Sequence, residues 1–123
     1  MSKILIVDDN PTNLKLVTFL VKSFGYQVET AVDADTTLAA VHASQPDAIL
    51  MDIQLPGIDG LELTRRLKAE PATRSVAVIA LTAYAMKGDR EKAFAAGCDD
   101  YMTKPIDASV LRDVIARHVG GAA

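Results

Sequence analysis

An open α/β fold built on a five-stranded, doubly wound parallel sheet is what this 123-residue chain predicts. Three observations carry that reading. Short apolar runs alternate five times with stretches of helical periodicity. Three of the runs, 3–7 after its first residue, 48–51 and 76–81, are continuously apolar, as strands buried on both faces are. The other two, 27–32 and 99–103, carry polar positions and suit the edges of a sheet. Right-handed crossovers then favour the strand order 2-1-3-4-5.

The first run, 3–7, ends on Asp8-Asp9. Asn10 is a good helix N-cap and Pro11 suits the first helical position. Leu14, Val17, Leu20 or Val21, and Phe24 then recur at helical spacing, and Gly25 stands where a left-handed residue closes a helix. In the strand 27–32, Val28, Thr30 and Val32 point one way, while Gln27 and Glu29 point the other. A helix over 33–44 places Ala34, Leu38 and Val41 on one face. Pro46 and Asp47 turn the chain into 48–51, which delivers Asp52. Pro56 and Gly57 mark a turn in the loop 52–59. A helix from about 60 to 69 buries Leu63 and Leu67, one turn apart. The strand 76–81 ends on Thr82, and a loop covers 83–88. The next helix, 89–96, is ended by Gly97. It has mainly Phe94 as a large apolar anchor and is expected to be the least firmly packed. The strand 99–103 leads into Lys104-Pro105. Asp107 caps the last helix, which buries Leu111, Val114 or Ile115, and His118. Residues 120–123 are expected to fray.

Composition narrows the function classes. The length fits one domain over 1–123, with no room for an effector domain. A net charge of −3 without a basic stripe argues against nucleic acid as a partner. The single Cys98 excludes an internal disulfide, fits a reducing compartment, and reads as a small apolar filler. No signal peptide fits ahead of Asp8-Asp9, and no run approaches the ~20 apolar residues of a membrane span. The expectation is a cytoplasmic monomer, since no element shows an extra apolar seam.

The predicted order reverses between the first and third strands. Ligands bind such sheets in the crevice outside the carboxyl ends at that reversal. Asp8, Asp9 and Asp52 fall there, with Thr82 and Lys104 on the same edge. Alone, each has a plainer role: a cap, a turn residue, a structural hydroxyl, a solvated lysine. Together they describe a site. Carboxylates ~4 Å apart repel by roughly 4 kcal/mol per pair at an effective dielectric of ~20. Such a cluster calls for a cation, and oxygen-only ligands suit Mg²⁺. Asp is also a known phosphoryl acceptor. Mg²⁺ on one side and Lys104 on the other would stabilise the charge of a phosphoryl group in transfer.

Four stretches match a known family: Ile4-Leu5-Ile6-Val7-Asp8-Asp9-Asn10; Leu50-Met51-Asp52-Ile53-Gln54-Leu55-Pro56-Gly57-Ile58-Asp59-Gly60; Ala80-Leu81-Thr82-Ala83; and Tyr101-Met102-Thr103-Lys104-Pro105-Ile106. Over essentially its whole length the chain resembles the receiver domain of bacterial two-component response regulators, a flavodoxin-like (βα)5 fold. The resemblance implies that Asp52 accepts a phosphoryl group from a histidine of a sensor kinase or phosphotransfer protein. It implies Mg²⁺ on Asp9, Asp52 and the backbone carbonyl of Gln54, with Asp8 joining mostly through water. It further implies that Lys104 contacts the phosphoryl group, that Thr82 moves toward it, and that Tyr101 turns inward as the switch aromatic. The Lys104-Pro105 bond is expected to be cis. The stretch Tyr84-Ala85-Met86-Lys87-Gly88-Asp89 looks like single-domain receivers of the cell-division regulator DivK type, and like receivers of hybrid kinases.

The reading is a phosphorylation switch whose output is a downstream protein target or relay of the phosphoryl group. Its output face is the fourth helix, fifth strand and fifth helix, with Lys87, Arg90, Tyr101 and Val110 exposed. An aspartyl phosphatase would want a second Asp two residues after Asp52, where Gln54 stands. A flavin carrier would want a Ser/Thr/Gly phosphate loop where Asp8-Asp9-Asn10-Pro11 stands. A receiver-fold docking module without phosphotransfer is the remaining alternative.

Overall fold

Five strands and five helices alternate in the computed structural model, which describes residues 2–53, 59–82, 88–104 and 106–119. In chain order they are β1 (Lys3–Val7), α1 (Pro11–Ser23), β2 (Gln27–Ala31), α2 (Ala34–Ala43), β3 (Ala48–Asp52), α3 (Gly60–Ala69), β4 (Ala77–Thr82), α4 (Asp89–Ala95), β5 (Asp100–Thr103) and α5 (Ala108–Val119). All pairings are parallel and the sheet order is β2-β1-β3-β4-β5, as expected. Residues 54–58, with Gln54 and the expected turn at Pro56-Gly57, the stretch 83–87, Pro105 and 120–123 lie outside the described residues, and so do the expectations that rest on them.

Alternation along the strands sorts the core into two layers. Leu5, Val7, Ile49, Met51, Val78 and Ala80 face α2, α3 and α4. Ile4, Ile6, Leu50, Ile79, Leu81 and Met102 face Val17 and Val21 of α1 and Leu111, Val114 and Ile115 of α5. This explains why the central strands carry no polar break until their last residues: both faces are covered.

The helix ends follow their caps. Asn10 Oδ1 accepts the N–H groups of Thr12 and Asn13 at 2.9 and 3.1 Å, with Pro11 in the first turn. Gly25 sits at φ 98°, the left-handed stop expected for α1. Asp33 and Thr36 form a capping box on α2. Asp107 Oδ1 accepts from the N–H groups of Ser109 and Val110 at the start of α5.

The structure corrects several boundaries. Val32 is 46% exposed and lies beyond β2, so it does not share the face of Val28 and Thr30. Its N–H turns to Thr36 Oγ1 at 3.2 Å, drawing the chain off the sheet into the cap of α2. β4 starts one residue later than expected and includes Thr82, because Lys104 N–H donates to the Thr82 carbonyl at 2.7 Å and extends the pairing. β3 likewise includes Asp52, paired opposite Leu81. β5 begins at Asp100, because Asp99 spends its carboxylate on Val78 N–H and Lys68. In α4, Phe94 is 39% exposed and is not the anchor. The small Ala93 and Ala96 are buried in its place, and the Arg90 guanidinium covers the Phe94 ring at 5.4 Å. Cys98 is the buried filler expected of it. Burial pushes its thiol up, against the bond to Thr64 Oγ1, which disfavours the nucleophilic thiolate.

Two polar clusters tie the layers together. Lys68 Nζ donates to the carbonyls of Val76 and Arg74 at 2.7 and 3.2 Å and to Asp99 Oδ2 at 2.8 Å, joining α3 to the segments that lead into β4 and β5. Asp100 opens β5 with Oδ1 on Tyr101 N–H, and Oδ2 takes Arg117 and His118 at 2.9 and 3.0 Å. Burial alone would raise the Asp100 carboxyl. The bonds from His118 and Tyr101 N–H and the Arg117 charge outweigh that and hold it below the ordinary carboxylate range. Among the described residues no helix is long and apolar enough to cross a membrane.

Two outcomes follow. Lys68→Met leaves two carbonyls and Asp99 without their ammonium, and urea denaturation should show a loss of about 2 kcal/mol. Asp100 is depressed in the folded chain, so its stabilisation is present above the unfolded carboxylate value of ~3.9 and is lost as pH falls through the lower folded value. Thermal melts across the range below about pH 4 should therefore fall less steeply in Asp100→Asn than in the parent.

Candidate functional site

Four of the five strands, β1, β3, β4 and β5, each bring a part of the site to the carboxyl edge. β1 runs out into Asp8 and Asp9, and Asp8 stays in line because its N–H donates to the Ala31 carbonyl at 3.1 Å. β3 ends on Asp52, β4 on Thr82, and β5 leads to Lys104. Asp8, Asp52 and Thr82 are buried, at 3%, 4% and 1% exposure, while Asp9 is exposed at the mouth. Asp8, Asp9, Asp52 and Lys104 therefore meet at one crevice, with Thr82 on the same sheet edge.

Charge sets the internal geometry. Lys104 Nζ lies 3.3 Å from Asp8 Oδ2 and 3.7 Å from Asp52 Oδ2. One ammonium thus faces two buried carboxylates. Asn10 N–H takes Asp8 Oδ1 at 2.9 Å, fixing the rotamer of that acid. One carboxylate oxygen from each of Asp8, Asp9 and Asp52 lies within 4.8 Å of the others. Three hard oxygen donors with neither His nor Cys among them fit a small divalent cation such as Mg²⁺.

Around the crevice, Tyr101 is half-buried against the layer of α2, α3 and α4. Its hydroxyl is raised first by burial, then by the charges of Asp89 and Glu91. Tyr101 also borders a groove of about 530 Å³ along β5, between Arg90 of α4 and Val110 and Val114 of α5. That places Arg90, Tyr101 and Val110 of the expected output face on one surface.

One contributor escaped the sequence reading. Gly60 starts a helix, as the sequence predicts, and its N–H also donates to the Ile53 carbonyl at 3.0 Å, next to Asp52. The signal available was the Asp59-Gly60 pair at a helix start, where an N-cap needs no glycine after it.

A five-stranded sheet in this order, with an acid cluster and a lysine at its switch point, defines a receiver-type phosphorylation domain. Residues 4–116 match the response regulator receiver domain family, and the chain belongs to that family. It is 40% identical to the polar-differentiation response regulator DivK of Brucella anthropi over 119 residues, covering 97% of each chain. It is similar to the receiver domain of a sensor histidine kinase from Pseudomonas aeruginosa, solved with magnesium in its active-site cleft. There the TM-score is 0.89, identity is 38%, and 98% of each chain is covered. The chemotaxis protein CheY4 of Vibrio cholerae matches at a TM-score of 0.89 and 25% identity, over 96% of this chain and 98% of that one. This is a receiver domain of two-component signalling, a class of switches whose partners are histidine kinases.

Removing the shared ammonium tests the electrostatics. Lys104→Met should cost about 3 kcal/mol without divalent cation, because two buried carboxylates lose their counter-charge. Chemical denaturation with and without Mg²⁺ should show the ion recovering a larger share of stability in the variant than in the parent.

Proposed function

We propose that Asp52 is the phosphoacceptor of a phosphorylation-controlled switch, charged from a phosphohistidine on a sensor kinase or a histidine phosphotransfer protein. The observation that carries this is the Lys104 ammonium within 3.3 Å of Asp8 and 3.7 Å of Asp52, in the same crevice as the three-acid cluster. A buried carboxylate beside a fixed cation is poised to receive an anionic group, and to hold it once bound.

In the transfer, an Asp52 oxygen attacks phosphorus. The P–N bond to the donor imidazole breaks as the P–O bond of an acyl phosphate forms. The imidazole leaves with the electron pair and takes a proton from solvent. Lys104 swings its charge onto the incoming phosphoryl oxygens, and the Thr82 hydroxyl donates to another. Asp9, Asp52 and the Gln54 backbone carbonyl, with Asp8 joining mostly through water, would hold Mg²⁺, which would supply charge neutralisation for the transferred group. The chain is its own substrate, and no turnover on external substrates is expected.

Those new bonds give the differential energy that shifts the domain between two states. Tyr101 lies on the strand that presents Lys104, so the shift reaches the groove between α4 and α5. We assign output to protein–protein contact on that face or to relay of the phosphoryl group, in a monomeric cytoplasmic domain spanning the chain.

Intact mass after incubation with a small phosphodonor tests the reading. The parent should gain one phosphoryl group in the presence of Mg²⁺ and none with the ion chelated, and Asp52→Ala should gain none. No gain with any donor would leave a metal-binding docking module in its place.

A further inference from the structure

We infer that Gly60 is a positioning residue for the phosphoacceptor, holding the Asp52 carboxylate where it can bind metal and accept phosphoryl. The inference rests on the reading of Asp52 given above. It starts from space. A Cβ placed on Gly60 would lie 2.5 Å from the Asp52 carbonyl oxygen and 2.6 Å from the Ile53 Cα. Both obstacles are backbone and cannot rotate aside. Among the described residues the positive-φ glycines are Gly25, Gly88 and Gly97, so Gly60 is needed for close approach and not for its conformation.

The peptide after Asp52 is pinned from both sides. Ile53 N–H donates to the Leu81 carbonyl of β4 at 3.2 Å, and the Ile53 carbonyl accepts Gly60 N–H at 3.0 Å. Gly60 is itself fixed. The buried Thr64 hydroxyl donates to its carbonyl at 2.8 Å, and Asp59 Oδ1 caps the helix at Glu62 N–H. Leu63 and Leu67 are fully buried and stop α3 from moving outward. An added methyl at residue 60 therefore pushes the Asp52–Ile53 peptide. That displaces the Asp52 Cα relative to Asp8, Asp9 and Lys104, which other strands hold.

Gly97 supplies the control. Its φ of 108° and a Cβ position 2.8 Å from Lys68 Cγ make substitution there strained as well. It borders Lys68 and takes no part in the carboxyl-edge cluster. Gly97→Ala and Gly60→Ala should both lower the melting temperature, and only Gly60→Ala should damage the site.

The test is Mg²⁺ titration by calorimetry, together with the rate of Asp52 phosphorylation by acetyl phosphate at saturating Mg²⁺, on parent, Gly60→Ala and Gly97→Ala. Gly60→Ala is expected to bind Mg²⁺ about tenfold more weakly, as groups supporting metal ligands do when altered. It should phosphorylate about a hundredfold more slowly, the size of effect a misplaced reacting group produces. Gly97→Ala should match the parent in both. Parent-like Mg²⁺ affinity and rate in Gly60→Ala overturn the inference, as does an equal loss in Gly97→Ala. Should Gly60→Ala not fold, Thr64→Val, which removes the bond to the Gly60 carbonyl with little change of shape, decides. Weakened Mg²⁺ binding supports the inference and parent-like binding overturns it. A parent that binds Mg²⁺ but takes up no phosphoryl group defeats the phosphoacceptor reading alone, and calorimetry still decides the role of Gly60.

Discussion

The ammonium of Lys104 faces two buried carboxylates, and the layout of the carboxyl edge depends on it. Asp8 and Asp52 are almost wholly removed from water, where like charges would force the strand ends apart or pull them into solvent. Lys104 lies 96 residues from Asp8 in the chain and meets it only because every strand between them keeps its register. The 2.7 Å bond from Lys104 N–H to the Thr82 carbonyl carries the pairing of β4 with β5 out to the residue that needs it. A divalent cation would relieve the same repulsion from the side of the exposed Asp9, so lysine and metal address complementary halves of one acid cluster.

The two core layers turn that local chemistry into something the rest of the domain can sense. β5 presents Lys104 at its far end and Tyr101 along its length, and Asp100 at its start is tied to Arg117 and His118 of α5. One short strand therefore joins the crevice, the half-buried aromatic and the last helix. α4 packs on this region through alanines, with Phe94 left at the surface under Arg90. A helix held by small side chains gives up little apolar burial when it shifts, which suits it to respond to a change at β5.

Much of this was legible before any coordinates. The continuously apolar runs placed β1, β3 and β4 at the centre, and the polar positions of β2 and β5 placed them at the edges. The caps Asn10 and Asp107 lie where short-range hydrogen bonding put them, whereas Asp33, read as the first helical residue, is the cap of α2. Where the reading went astray, the deciding contacts came from elsewhere in the fold. Val32 has the pattern of a strand residue, but Thr36 claims its N–H for a helix cap. Phe94 looked like an anchor because it is large, whereas Ala93 and Ala96 are the residues buried there. No sequence signal marked Lys68, which bridges three oxygens contributed by the segments leading into β4 and β5.

By itself the sequence determined the order of elements, the strand arrangement, and which residues would stand at the strand ends. Hydrophobic periodicity and capping are local and survive in one dimension. Tertiary structure alone decided how near those residues come: the sharing of Lys104 between Asp8 and Asp52, the 4.8 Å compass of the acid cluster, and the missing room for a Cβ at Gly60. Such distances depend on register and helix placement across the whole sheet, and neither periodicity nor capping carries that information.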